Sequence, residues 1–161
     1  MFKGRFFMRA LVVVTAFAVL STAAFAQRGA QPPPNDRTKA SYMSAAEVAA
    51  AIEKLPKDRP NSSVRVFSLP PYTVNIEHRQ PMAQGASVHA DEEELFYVVD
   101  GSATMLTGGK LVGEPAKTIE GGVSQKFAKG DWIMVPAGVP HQFIDIKSPI
   151  TIMSLHLPKP K

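Results

Sequence analysis

Apolar residues change their spacing along the chain, and each change marks a different kind of element. The first apolar stretch, residues 10–20, follows the basic positions Lys3, Arg5 and Arg9 and leads to Ala24-Phe25-Ala26. A basic head, an apolar middle and small residues at the positions a signal peptidase reads predict a secretory signal peptide over residues 1–26, cleaved between Ala26 and Gln27. The competing assignment, an uncleaved membrane anchor, needs a longer apolar run than one interrupted by Thr15, Ser21 and Thr22. Residues 27–43, with Pro32-Pro33-Pro34, lack periodicity and predict an extended, poorly ordered leader.

Residues 44–60 hold the one helical pattern. Ser44 and Glu47 have the spacing of a capping box, alanines fill the following turns, and Val48, Ile52 and Leu55 recur on one face. That stripe should pack on the body of the protein, and Pro56 and Pro60 end the helix.

From residue 61 to the end the period falls to two. Runs at 64–69, 73–77, 95–99, 103–107, 123–127, 132–135, 142–146 and 150–157 are rich in β-branched and aromatic residues and separated by turn signals. Pro70-Pro71 breaks the first two, Asp100-Gly101 reads as a hairpin turn, and the Gly-rich residues 108–122 read as a surface loop. Many short strands at regular spacing predict an all-β sandwich or barrel over residues 61–161. Both faces of residues 95–99 are apolar, so the outer face should also be covered, by the helix, a second sheet or a second subunit in a homodimer.

Charge does little to widen this picture. The chain has 18 basic and 14 acidic residues, but three of the basic ones lie in the signal, leaving 15 against 14. No basic cluster interleaved with aromatics follows, so a nucleic-acid partner is not expected, nor a membrane partner once the signal is removed. The chain contains no cysteine. Disulfides, thiolate ligands and thiol nucleophiles are therefore excluded, and metal chemistry is left to histidine and carboxylate.

Those residue types gather in two segments. In the strand that starts at Glu94, alternation places Glu94 on the face of Phe96 and Val98, where a bare carboxylate would be costly without a cation or hydrogen-bond donors. His141 likewise shares a face with Phe143. Imidazole and carboxylate together suit Fe, Mn, Zn, Ni or Cu. The acidic run Asp91, Glu92 and Glu93 reads as exposed, since consecutive side chains cannot all face one site. His78 shares a face with Val74 and Ile76 and so should point inward, as a fourth ligand, a contact to a metal ligand or to the substrate, or a core histidine. His156, on the face of Ser154 and Ile152, has the same options. Met105, Met134 and Met153 read as core filling, and Tyr97 and Trp132 as packing or interface aromatics.

These segments resemble the cupin family. Gly130, Pro136, Gly138 and His141 fall in the register of its second motif, with Asp145 where the motif has asparagine. His89, Glu94 and Gly101 fall in the register of the end of its first motif. The resemblance implies a double-stranded β-helix, or jelly-roll, barrel with one divalent metal held by His89, Glu94 and His141, and Gly101, Gly130 and Gly138 serving turns. The first histidine of the family's usual His-x-His pair is Ser87 here. Two histidines and a carboxylate with open positions also suit oxygen-activating iron. Two functions follow from the resemblance: a metal-dependent oxygenase, isomerase or lyase acting on a small organic substrate, or a non-catalytic module binding a small ligand or a metal. Nothing in the sequence names catalytic residues.

Overall fold

The computed structural model describes residues 33–114 and 117–160. The predicted signal peptide lies outside the described residues, as does the start of the leader. From Pro33 onward the leader is tied to the barrel rather than loose. The Asn35 amide donates to the Ser68 carbonyl at 2.7 Å, the Ser68 amide donates to Asn35 Oδ1 at 2.6 Å, and Arg37 donates to the Pro70 carbonyl.

The helix, α1 (Ala45–Glu53), starts as its sequence predicts. Ser44 is the N-cap, the Glu47 amide donates to Ser44 Oγ at 3.2 Å, and Glu47 Oε2 accepts from the Ser44 amide at 2.7 Å. These bonds pair amides that the first helical turn cannot satisfy itself. Val48, Ile52 and Leu55 are half-buried, and α1 packs on the first strand without burying any residue completely.

Ten strands follow among the described residues: β1 (Asn61–Leu69), β2 (Tyr72–Arg79), β3 (Glu92–Asp100), β4 (Ser102–Thr107), β5 (Lys110–Val112), β6 (Thr118–Glu120), β7 (Val123–Ala128), β8 (Trp132–Val135), β9 (His141–Ile144) and β10 (Ile150–Pro158). They form a five-stranded sheet in the order β1-β2-β10-β3-β8 and a three-stranded sheet in the order β7-β4-β9, all neighbours antiparallel. The two sheets enclose one core in a jelly-roll barrel. Phe96 and Val98 from β3 and Ile150 and Ile152 from β10 meet Met105 from β4, Phe127 from β7 and Phe143 from β9. Phe143 takes Phe96 and Phe127 edge-on, with ring centroids 5.4 and 5.7 Å away. Each such aromatic pair adds about 0.5–1.5 kcal/mol beyond the area it buries.

Two expectations about connections are corrected. Residues 108–122 are not plain loop, because β5 and β6 pair there as a small separate hairpin. Strands of three residues among glycines carry too little period-two pattern to be read from sequence. Asp100-Gly101 is not a hairpin turn either. β3 and β4 lie in different sheets, and Gly101 is the corner where the chain crosses between them. Its φ is +89°, and a Cβ there would sit 2.7 Å from Ile150 Cγ2 and 3.1 Å from the Pro149 carbonyl oxygen. Only glycine lets the chain turn so close to the start of β10.

The outer face of the five-stranded sheet is only partly covered. Trp132 on the edge strand β8 is 60% exposed and packs on Tyr97 at 4.6 Å, and Met134 beside it is 49% exposed, so Met134 is not core filling as predicted. Met105 is buried in the core and Met153 is half-buried.

Candidate metal centre

Alternation along β3 decides what enters the barrel. Glu94, Phe96 and Val98 face inward and are buried, while Leu95 and Tyr97 face outward. Glu94 sits at the end of this inward row, where the apolar core gives way to polar side chains. The register of β10 against β3 sets His156 directly opposite Glu94. β9 begins at His141, whose backbone exchanges two 2.9 Å hydrogen bonds with Ser87. The amide of Gly138 donates to the carbonyl of His89 at 2.7 Å, fixing the segment that carries His89 against the turn ahead of β9. Gly138 adopts φ +79° and Gly130 φ +93°, so both serve turns. Asp145 is the one non-glycine residue with positive φ among those described, at 55°. Asparagine and aspartate tolerate that conformation better than other side chains, which explains why aspartate can stand where the motif has asparagine.

The three side chains singled out in the sequence converge. His89 Nε2 and His141 Nε2 each lie 3.3 Å from the same oxygen, Glu94 Oε2. One ligand atom from each of the three lies within 4.8 Å of the others. Bonds of about 2.0–2.2 Å to a common ion would leave neighbouring ligand atoms roughly 3–3.5 Å apart, and both separations from Glu94 Oε2 fall in that range. The donor set of two imidazoles and a carboxylate suits a transition metal, and this group could bind one. Glu94 and His141 are buried, with side chains 5% and 4% exposed, whereas the His89 side chain is 34% exposed. The cluster is therefore open to solvent on the His89 side.

Electrostatics favour an anion at its centre. Burial pushes the Glu94 carboxyl up, but hydrogen bonds from His141 and His156, and their charge, outweigh it and hold the group at about 2. The hydrogen bond to Glu94 raises His156 above its ordinary value despite burial. Opposite charge and donors thus overcome desolvation.

The other candidates divide. Ser87 is exposed and meets His141 through the backbone. His78 does not join the cluster, and the expectation that it points inward is corrected. It pairs across the sheet with Thr151, its Nδ1 lies 3.1 Å from Thr151 Oγ1, and burial together with Lys57 pushes its pKa down. Thr151 alternates with the inward residues Ile150 and Ile152, so His78 is on the outer face. The inner face of β2 is polar instead. Glu77 accepts from Ser154 Oγ at 2.9 Å and from Arg79 at 2.6 Å, and the Arg79 guanidinium lies 4.0 Å over the Phe143 ring.

His156 does join. Its Nε2 lies 3.2 Å from Glu94 Oε1 and its Nδ1 lies 3.2 Å from Glu92 Oε2. The sequence marks both residues only through alternation, since Glu92 shares the face of Glu94 and His156 that of Ser154. Their meeting depends on a register between strands some sixty residues apart.

No protein-family model matches the chain, and no curated protein matches it. Solved structures do. KdgF from Halomonas sp. aligns at 14% identity and a TM-score of 0.56, over 76% of this chain and 97% of that one. The cupin domain of Cnp3 from Schizosaccharomyces pombe aligns at 10% identity and a TM-score of 0.52, over 67% and 72%. HppE, solved with Fe(II) and the alternative substrate (S)-1-HPP, aligns at 15% identity and a TM-score of 0.52, over 65% of this chain and 57% of that one. Identities this low speak for the fold, and by its fold the chain is a cupin-type jelly-roll barrel.

Proposed function

We propose that this protein is an exported barrel that binds one divalent transition metal through His89, Glu94 and His141 and uses it on a small organic substrate, as an oxygenase, isomerase or lyase. The observation that carries this reading is the arrangement at Glu94. A buried carboxylate oxygen is met by two imidazole nitrogens at 3.3 Å, with one side of the cluster open to solvent. A divalent metal bound there would polarise a substrate oxygen or, if iron, bind dioxygen. Fe(II) in HppE, a neighbour in fold, makes iron the first metal to try.

The chain's own residues supply the rest. Glu94 provides the negative charge that a cation needs in a buried place. His141, in T-shaped contact with Phe96 at 5.9 Å, is held by the core, and His89 stands at the solvent side, where a ligand would enter. Arg79, which points into the barrel, is spent on Glu77 and shapes the interior rather than reaching out as a free cation.

Thermal unfolding with Fe(II), Mn(II), Zn(II), Ni(II) and Cu(II) tests metal binding. At a hundred times its dissociation constant the preferred ion should stabilise the chain by about 2.7 kcal/mol. The variant His89→Ala with His141→Ala should show no such shift. Stabilisation of both proteins alike would place the metal elsewhere. Stabilisation by a small ligand without turnover in the metal-loaded chain would favour the non-catalytic module over the enzyme.

A further inference from the structure

Three imidazoles surround Glu94, but they do not divide it equally. His89 and His141 both approach Oε2, whereas His156 approaches Oε1. The ligand atoms of His89, Glu94 and His141 form a mutually close group that does not include His156. Both nitrogens of His156 are already engaged, Nε2 with Glu94 and Nδ1 with Glu92, each at 3.2 Å. Neither is left to aim at the point between Oε2 and the other two rings. The sheet makes this geometry rigid, because His156 and Glu94 are register partners on adjacent strands.

We propose that His156 is a positioning residue and not a metal ligand: it holds Oε1 of Glu94, so that Glu94 offers the metal Oε2 alone, while Glu92 fixes the His156 ring from the other side. The inference rests on metal binding at His89, Glu94 and His141. A carboxylate gripped at one oxygen cannot swing to chelate through both. The bound ion then has two imidazoles and one oxygen from the protein, and its remaining positions stay free for substrate or water. Ser87 does not restore a third imidazole ligand, since it is exposed and bonds to His141 through the backbone. Outer partners that orient a ligand in this way typically contribute 10–100-fold to metal affinity.

Copper-loaded protein tests the proposal. Pulsed electron paramagnetic resonance counts the imidazoles bound to Cu(II), and a competing chelator gives the affinity. We expect two imidazoles in the wild type and two in His156→Ala, with affinity in the variant down by about 10–100-fold and its copper spectrum altered. His156→Gln, whose amide can still donate to Oε1, should return both affinity and spectrum toward the wild type. Glu92→Gln should cause a smaller loss. If His156→Ala does not fold, the glutamine variants at 156 and 92 decide the matter by the same two readouts. Three imidazoles in the wild type, one of them lost in either His156 variant, would make His156 a direct ligand and overturn the proposal. An unchanged affinity and spectrum in His156→Ala would make it a bystander and overturn it equally. A folded wild type that binds no copper would instead sink metal binding itself, and this inference with it.

Discussion

A single carboxylate concentrates most of the chemistry in this protein. Glu94 is buried yet held as an anion, and His156, one of the groups that hold it, has the opposite pH behaviour. Its pKa is depressed to about 2, so the stability it contributes is present above its unfolded value near 4.5 and is lost as pH falls toward 2. His156 is raised, so its contribution is complete below its unfolded value of 6.5 and is lost as pH climbs through the folded one. In the metal-free chain the cluster therefore stabilises most between about pH 4.5 and 6.5. Urea unfolding of chelator-treated wild type and Glu94→Gln should differ most in that window, with the gap closing as pH falls toward 2 and narrowing as pH climbs through the folded value of His156. A difference that keeps growing above pH 7 would contradict this. The same variant should weaken metal binding at least 100-fold, more than an outer partner would, because it removes the anionic ligand.

The residues of the cluster were unequally legible in the sequence. His89, Glu94 and His141 could be found because each falls in a motif register and two of them share a strand face with core aromatics. His156 could be flagged but not placed, since strand alternation gives a residue's face and says nothing of the partner across the sheet. His78 was misjudged for a related reason. Val74 and Ile76 made its face look like the core, but β2 turns Asn75, Glu77 and Arg79 inward and puts the apolar face outside.

At the scale of elements, the helix and most strand positions followed from periodicity and turn residues, while the order of strands did not. The clearest case is Gly101, whose turn was visible but whose role was not. A hairpin would keep β3 and β4 in one sheet, whereas the positive φ and the close approach of Ile150 make it a corner between two sheets. Gly101→Ala should cost about 2 kcal/mol or more, from the left-handed backbone and the clash with β10 together. Denaturant midpoints at constant slope would measure it, and a loss under 0.5 kcal/mol would show that the corner relaxes easily. Copper affinity in the folded variant should change little, because Gly101 lies at the far end of β3 from Glu94.

For the whole molecule, the absence of cysteine leaves stability to the core between the sheets and, in our proposal, to a bound metal. No described helix is long and apolar enough to cross a membrane. Export is our proposal from the basic, apolar and small-residue pattern of residues 1–26. N-terminal sequencing of the protein recovered outside the cytoplasm should begin at Gln27, and a chain that keeps Met1 and stays inside the cell would contradict it.

The most direct test of the central claim is the metal content of the purified chain from residue 27 onward, measured by plasma mass spectrometry after growth in metal-replete medium. We predict close to one transition-metal ion per chain in the wild type and almost none in the variant carrying His89→Ala and His141→Ala. A folded wild type without metal, taking none up on titration, would contradict the account and leave a barrel whose histidines serve only its own carboxylates.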